Sequence, residues 1–478
     1  MAVSLRRKRE APRGRYTPNL WPVWFVALVA LIAAGALGWV IYHYAYDHFA
    51  QAAADQKPPK PVNINDVLKA TVTALTLIGA VLAGLYAYRK QLLAEGDAHR
   101  ADASQLADRY TTAAEQLGHD QAAVRLAGVY ALARLADDWA EQRQVCIDVL
   151  CAYLRMPYEP DPSLPGHKEG EREVRHTIIQ VIRDHLQEPD AATAWCLHDF
   201  NFTGAVFDGG TFDASHFRGK ITFFDAKFSS GTVSFSGAEF SGPTVYFVGA
   251  EFSGGTVYFA SAEFSSPNVY FDDATFSSGD VYFDDATFSG FVSFIDATFS
   301  GSAVSFTGAT FSAGTVYFGD ATFSAGTVHF GVATFSGSTV HFVDSTFSGS
   351  LVNFSGATFS GSLVNFGDAE FSAGTVHFGD ATFSAGTVSF GDATFSGSTV
   401  SFTSTTFSGS TVSFGDATLS AGTVSFGDAT FSAGTVSFGG ATLSAGTVSF
   451  GGGTTGFAAA RFSGTTFEWG PLAVPAGA

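Results

Sequence analysis

Twelve histidines and three cysteines are the residues of this chain best suited to nucleophilic, acid–base or metal chemistry, and their spacing supports none of these. His119-Asp120, His176 and His185 are scattered, with no nucleophile, ligand spacing or phosphate loop beside them, which is the pattern of surface histidines. Cys146, Cys151 and Cys196 are odd in number and lack C-x-x-C spacing, so they encode neither a disulfide framework nor a zinc site. Reduced, part-buried thiols are expected. His329, His341 and His377 point outward in the reading below, but no carboxylates accompany them to build a metal site. No catalytic, metal or cofactor-binding residue is therefore predicted, and no cofactor. What remains suits contact rather than reaction. Tyr246, Tyr258, Tyr270 and Tyr282 recur every twelve residues, joined by Glu239, Glu251 and Glu263, and a tyrosine row with acids reads as a docking surface. Tyrosine is equally a good strand residue, so the structural reading stays beside it.

The element that must position these residues is a repeat. Phe202, Phe207, Phe212 and Phe217 step by five, and from Phe228 the step becomes twelve through Phe240, Phe252, Phe264, Phe276 and Phe288. One step of eleven reaches Phe299, and twelves continue to Leu443, with a second row from Phe235 to Phe450. Each unit is two pentapeptides plus two residues, as in Val316-Tyr317-Phe318-Gly319-Asp320, Ala321-Thr322-Phe323-Ser324-Ala325 and then Gly326-Thr327. Apolar residues alternate with polar ones, so Val, Ala and Phe point inward and Thr, Ser, Tyr or His point out. The ladder Phe235, Phe240, Phe318, Phe323, Phe378 and Phe383 is the expected core. Gly-Asp and Gly-Thr pairs suit corners that need positive φ or side-chain hydrogen bonds. This pattern specifies a β-solenoid over 196–469 and resembles the right-handed quadrilateral helix of the pentapeptide-repeat family. The seven-residue step departs from that family, so two geometries are weighed. Four faces take 24 residues and give ten or eleven coils, roughly 50 Å at ~4.8 Å per strand; two faces take twelve. Asp320, Asp344, Asp368, Asp392 and Asp416 recur every 24 residues, which favours four. Residues Gly451 to Trp469 should close the far end, leaving 470–478 as a loose tail.

The chain before the repeat is a different material: 47 of 49 Phe and 43 of 53 Gly lie at or beyond Phe200, while five of six Trp precede it. A basic tail, 1–19, is followed by two apolar segments, 20–46 and 67–88, each of a length to span a bilayer, with the loop 47–66 between them. Arg6, Arg7, Lys8, Arg9, Arg13 and Arg15 before the first segment, and Arg89, Lys90 and Arg100 after the second, outweigh Lys57 and Lys60 in the loop. That bias places the N-terminus and the C-terminal domain in the cytoplasm of a multi-pass plasma-membrane protein. Residues 89–190 read as a cytoplasmic helical domain, with helices ending at Gly118, starting near Asp120 as N-cap, spanning about Arg143 to Arg155, and running from Glu171 to Gln187. Ala114-Glu115-Gln116-Leu117-Gly118, Val124 through Ala136 and Val149 through Arg155 resemble the helical region of bacterial membrane-bound pentapeptide-repeat proteins. That resemblance implies an architecture and no general activity.

Charge narrows the function. From residue 196 onward, 22 acidic residues face four basic ones, whereas the first 195 residues are nearly neutral. An acidic domain repels nucleic acid and anionic lipid, so nucleic acid is disfavoured as a partner. The reading carried forward is a membrane-anchored, non-catalytic scaffold presenting a rigid acidic rod to an unknown cytosolic protein. Two alternatives stay open: DNA mimicry toward a nucleic-acid enzyme, as in topoisomerase-protecting pentapeptide-repeat proteins that this one resembles, and an extracytoplasmic Ser/Thr ladder that adheres or binds ice. Homo-oligomerisation is left open as well.

Overall fold

The computed structural model describes residues 23–55, 61–312, 314–361, 363–432, 435–443 and 447–450. The basic tail, the start of the first apolar segment, the expected closing segment 451–469 and the final tail lie outside these residues.

The first compact unit ends at Ser104. In it, α1 (Val23–Ala54) is joined to α2 (Ile64–Leu117), with Gly38 of α1 against the Leu75 side chain at the 3.4 Å a Cβ would have. Val67 and Thr71 are buried, and Thr71 turns its hydroxyl back to the Val67 carbonyl at 2.8 Å. Most other apolar side chains are exposed, among them Leu31 and Trp39 on α1 and Leu77, Val81, Leu82 and Leu85 on α2. Among the described residues, one helix is long and apolar enough to cross a membrane, over Ile64–Gln91. Two spans were expected. α1 covers most of the first segment as a helix but, among its described residues, is not a second such span. α2 also shows no break at Tyr88, where the second span was expected to end.

The second unit begins at Gln105, so the end of α2, with Ala113 and Leu117 buried, packs with three helices: α3 (Ala122–Asp138), α4 (Arg143–Leu154) and α5 (Glu171–Asp184). The expected apolar face of α5 is buried, with Val174, Ile178, Val181 and Ile182 at 6% exposure or less, and Leu186, expected on the same helix, is buried just beyond its end at Asp184. The N-cap of α3 is Gln121, without a side-chain bond, and not Asp120. Asp120 fails as a cap because the buried Arg125 guanidinium draws its carbonyl inward at 2.6 Å, together with that of His119 at 3.0 Å.

Beyond Phe200 the chain winds into four parallel sheets, three of 11 strands and one of 10 among the described residues. Each strand pairs with the one four strands later, as in Glu251↔Thr275 and Val257↔Val281, so a coil has four faces and 24 residues. The twelve-residue alternative is excluded. The first coil is shorter: Phe200 pairs with Ile221, because its units are bare pentapeptides. The eleven-residue step shortens one later coil by one residue, pairing Thr275 with Thr298.

In one coil the first face is Thr315–Tyr317, the second Thr322–Ser324, the third Thr327–His329 and the fourth Thr334–Ser336. Four residues, 318–321 and 330–333, separate the first face from the second and the third from the fourth, whereas two, 325–326 and 337–338, separate the second from the third and the fourth from the next first face. Each four-residue corner turns on a residue of positive φ, more often Asp than Gly: Asp320, Asp344, Asp368, Asp392 and Asp416 lie at φ of 54 to 59°. Asp tolerates this left-handed conformation because its short side chain bonds locally. Part of the rod's acidity is thus a turn requirement.

Inside, the six expected ladder residues are all buried. Phe318 stacks on Phe342 at 4.8 Å and 4°, Phe323 on Phe347 at 4.8 Å and 2°, and Phe359 on Phe383 at 4.6 Å and 3°. Each buried Phe contributes on the order of 2 kcal/mol of transfer free energy, and ring stacking adds to it. A rod built this way is rigid, which fixes the spacing of whatever its faces display.

Candidate interaction surface

The solenoid's open edge at the first coil is covered by helices. α4 packs on Phe200–Asn201 and α5 on Gly210–Thr211. Gly209 and Gly210 make the approach possible: both have positive φ, and a Cβ would stand 3.1 Å from His176 and 3.0 Å from Ile179. Arg175, buried, donates to the carbonyls of Tyr153 and Leu154 at the end of α4 and, at 3.2 Å, to Val206 of the first coil. Its guanidinium lies 4.4 Å from the Tyr158 ring centroid.

Asp208 is the hub of this junction. It accepts from the Tyr158 hydroxyl at 2.7 Å and from Arg172 Nε at 3.0 Å, with His176 Nε2 at 2.9 Å. Burial pushes its carboxyl up, but the bonds from His176 and Tyr158 and the charges of His176 and Arg172 outweigh that and hold it at about 2. The histidines expected at the surface are therefore partly structural: His176 belongs to the hub, and His185 stacks on buried Trp195 at 4.1 Å and pairs with Asp137 at 3.3 Å. Sequence reading could not see this because Asp208 and His176 lie 32 positions apart. The three cysteines are buried and free, with thiols pushed up by desolvation, Cys146 to about 11 and Cys151 to about 12.

On the outside of the rod, the seven residues expected to form one surface divide among four faces. Tyr246 and Tyr270 stand on the first face, stacked at 5.5 Å, and Tyr258 and Tyr282 on the third, stacked at 5.2 Å. Glu251 lies on the second face, and Glu239 and Glu263 on the fourth. Two of these acids are already engaged within the rod, Glu239 by His216 Nδ1 at 2.7 Å and Glu251 by Lys227 at 2.9 Å. A twelve-residue interval is half a coil, so residues spaced by twelve land on opposite faces.

The first face carries a longer feature. Phe224 stacks on Tyr246 at 5.0 Å, Tyr246 on Tyr270 at 5.5 Å, and Phe291 fills the next step, 5.7 Å from Tyr270 and 5.6 Å from Tyr317. Tyr317 then stacks on His341 at 4.5 Å. Six half-buried rings thus run unbroken through six consecutive coils. The register places Ser293 opposite Tyr270 and Tyr317, and the Phe291 ring, two residues earlier, leans across that gap. Three residues beyond these positions, at the adjoining corner, stand the exposed carboxylates Asp273, Asp296, Asp320 and Asp344. Beyond His341 the same column continues as Asn365, Ser389 and Ser413. The signal that identifies the ladder in sequence is the 24-residue interval, with Phe291 hidden inside the eleven-residue step.

The pattern of pentapeptide repeats, in nine copies, matches residues 235–287 and 283–331. Residues 235–331 of the solenoid are pentapeptide repeats. No curated protein matches the chain. Among solved structures, trypsin-treated QnrB1, a plasmid-mediated fluoroquinolone resistance protein, is 13% identical over 46% of this chain and 90% of its own, with a TM-score of 0.11. A likeness of that size carries no argument. Over residues 235–331 the units of twelve keep a four-faced coil of 24 residues.

Proposed function

We propose that the chain is a membrane-anchored, non-catalytic scaffold whose acidic solenoid offers its first face to a protein partner in the cytoplasm. The observation that supports this most directly is the aromatic ladder from Phe224 to His341. Contiguous half-exposed rings on a rigid sheet, rimmed by charge, have the composition of a recognition surface. Anchoring rests on the apolar, outward-facing residues of Ile64–Gln91, and orientation on the basic residues flanking the apolar segments.

Serine replaces Tyr in the distal coils of the same column, so the triple variant Tyr246→Ser, Tyr270→Ser, Tyr317→Ser changes the face without inventing a new side chain. Proteins cross-linked to the full chain in cells should lose one component in this variant and keep it in the third-face control Tyr258→Ser, Tyr282→Ser. Identical recoveries in the two variants would remove the first face from consideration. Orientation is tested with reporter cysteines at exposed Asp55 and Asp392, the buried native thiols staying silent. An impermeant reagent applied to intact cells should label position 55 only.

The exposed Asp column also favours a second reading, DNA mimicry. Its carboxylates repeat at the ~4.8 Å strand spacing, wider than the ~3.4 Å of helix axis per phosphate on one DNA strand, which makes the match in charge better than the match in spacing. Competition by duplex DNA for the cross-linked partner would favour this reading over the first.

A further inference from the structure

Resting on the reading of the first face as a protein contact, we propose that its occupant is a basic amphipathic α-helix lying along the rod axis, with one Lys or Arg per turn against the aromatic ladder. Three observations select this occupant. The ring centroids lie 4.5 to 5.7 Å apart, a range that includes the 5.4 Å pitch of an α-helix. A β-strand laid the same way repeats on one side every ~6.7 Å, outside that range. Along the rod axis the rings advance with the coils, ~4.8 Å each, so over the roughly 24 Å spanned by six coils a helix of about 16 residues makes about 4.4 turns and stays within one ring of register with the ladder.

The second observation is ring orientation. Phe224–Tyr246, Tyr246–Tyr270 and Tyr317–His341 are near parallel, at 22°, 11° and 14°, so on either side of Phe291, which is tilted by 56° and 43° to its neighbours, the ring edges form a stepped ridge. Such a ridge suits the methylene stems of Lys and Arg, which pack on apolar surface while their heads reach outward. The ladder already attracts a cation: Lys220 sets its ammonium over the Tyr246 ring, 5.3 Å from the centroid. Third, the heads have a destination. Asp273, Asp296, Asp320 and Asp344 stand exposed along the adjoining corner, one per coil, so carboxylate and ring repeat together. A second copy of this acidic rod is a poor occupant for the same reason, because like charges would face each other.

The test uses the full chain in nanodiscs of zwitterionic lipid and a fluorescent 18-residue Ala-rich helical peptide with lysine once per turn on one face. A scrambled peptide of equal composition, with lysines all around the helix, is the comparison, and binding is read by anisotropy. The patterned peptide is expected to bind at least about tenfold more tightly than the scramble. Tyr270→Ser with Tyr317→Ser should weaken it about tenfold, and Asp296→Asn with Asp320→Asn about three- to fivefold at low salt. The third-face pair Tyr258→Ser, Tyr282→Ser should leave it unchanged. Equal binding of the scramble overturns the proposal, since that is unspecific charge attraction. So does insensitivity to the first-face variants. If neither peptide binds while a cellular protein still cross-links to the first face, the helix falls and the contact surface stands.

Discussion

Val332 sits at φ +50°, in the corner column between third and fourth faces whose other members are Ala214, Gly237, Ser261, Asp285, Gly308, Gly356, Asp380, Ser404 and Asp428. A β-branched residue is the least suited to that conformation, which costs an ordinary L-residue roughly 1–2 kcal/mol. Its side chain is 61% exposed, so little apolar burial offsets the strain. Val332→Asp should relieve most of it without the unfolded-chain entropy that glycine brings, for a gain of about 1 kcal/mol. Charge does not oppose the change: the stacked neighbours are Gly308 and Gly356, and Asp285 and Asp380 lie two coils away, at about one Debye length. Val332→Gly relieves the same strain but loses about 0.5–1 kcal/mol to the unfolded chain, so it should gain less. Asp380→Val, the reverse change two column positions on, should cost about 1–2 kcal/mol. Solenoids open locally, so the readout is native-state amide exchange of the coil holding residues 318–341, expected to slow about fivefold in Val332→Asp. Unchanged or faster exchange there, with Asp380→Val neutral, would refute the corner argument.

Three further outcomes follow from the same structure. Asp208 has a folded value of about 2 against an ordinary 3.8, so its contribution, about 2 kcal/mol, is fully present above roughly pH 4 and is lost as pH falls through 2. Asp208→Asn should lower the urea midpoint of the helical layer at pH 7 and flatten its pH dependence between 4 and 2. Phe371 is stacked between Phe347 and Phe395, both at 4.7 Å, so Phe371→Ala should cost about 3–5 kcal/mol by denaturant titration. Phe371→Leu should cost under about 1.5 kcal/mol, since Leu419 and Leu443 already continue that column. Ellman's reagent at pH 8 should leave all three thiols unmodified in the folded chain and modify three in denaturant; a fast-reacting thiol in the folded chain would contradict their burial.

What was legible in the sequence is what repeats. Alternation of Val, Ala and Phe specified the inward set, and the recurrence of Asp320 through Asp416 every 24 residues identified four faces, because a stacked corner demands the same residue one coil later. The surface was read less well. Tyr246, Tyr258, Tyr270 and Tyr282 look like one row along the chain, yet alternate members fall on opposite faces, and Phe291 reaches the ladder only by leaning across Ser293. Contacts made once leave no period at all. The hub of Asp208 with Tyr158, Arg172 and His176, and the capture of the Asp120 carbonyl by Arg125, depend on side chains converging from separate elements.

The central claim, that the first face is where a protein docks, is tested most directly within a single coil. A photoreactive phenylalanine analogue placed in turn at Tyr270, Thr275, Tyr282 and Thr287 samples the first, second, third and fourth faces at one height on the rod. The account predicts a discrete cross-linked protein from position 270, with the other three positions giving little. Equal cross-linking from all four, or a product from position 282 and none from 270, would contradict it.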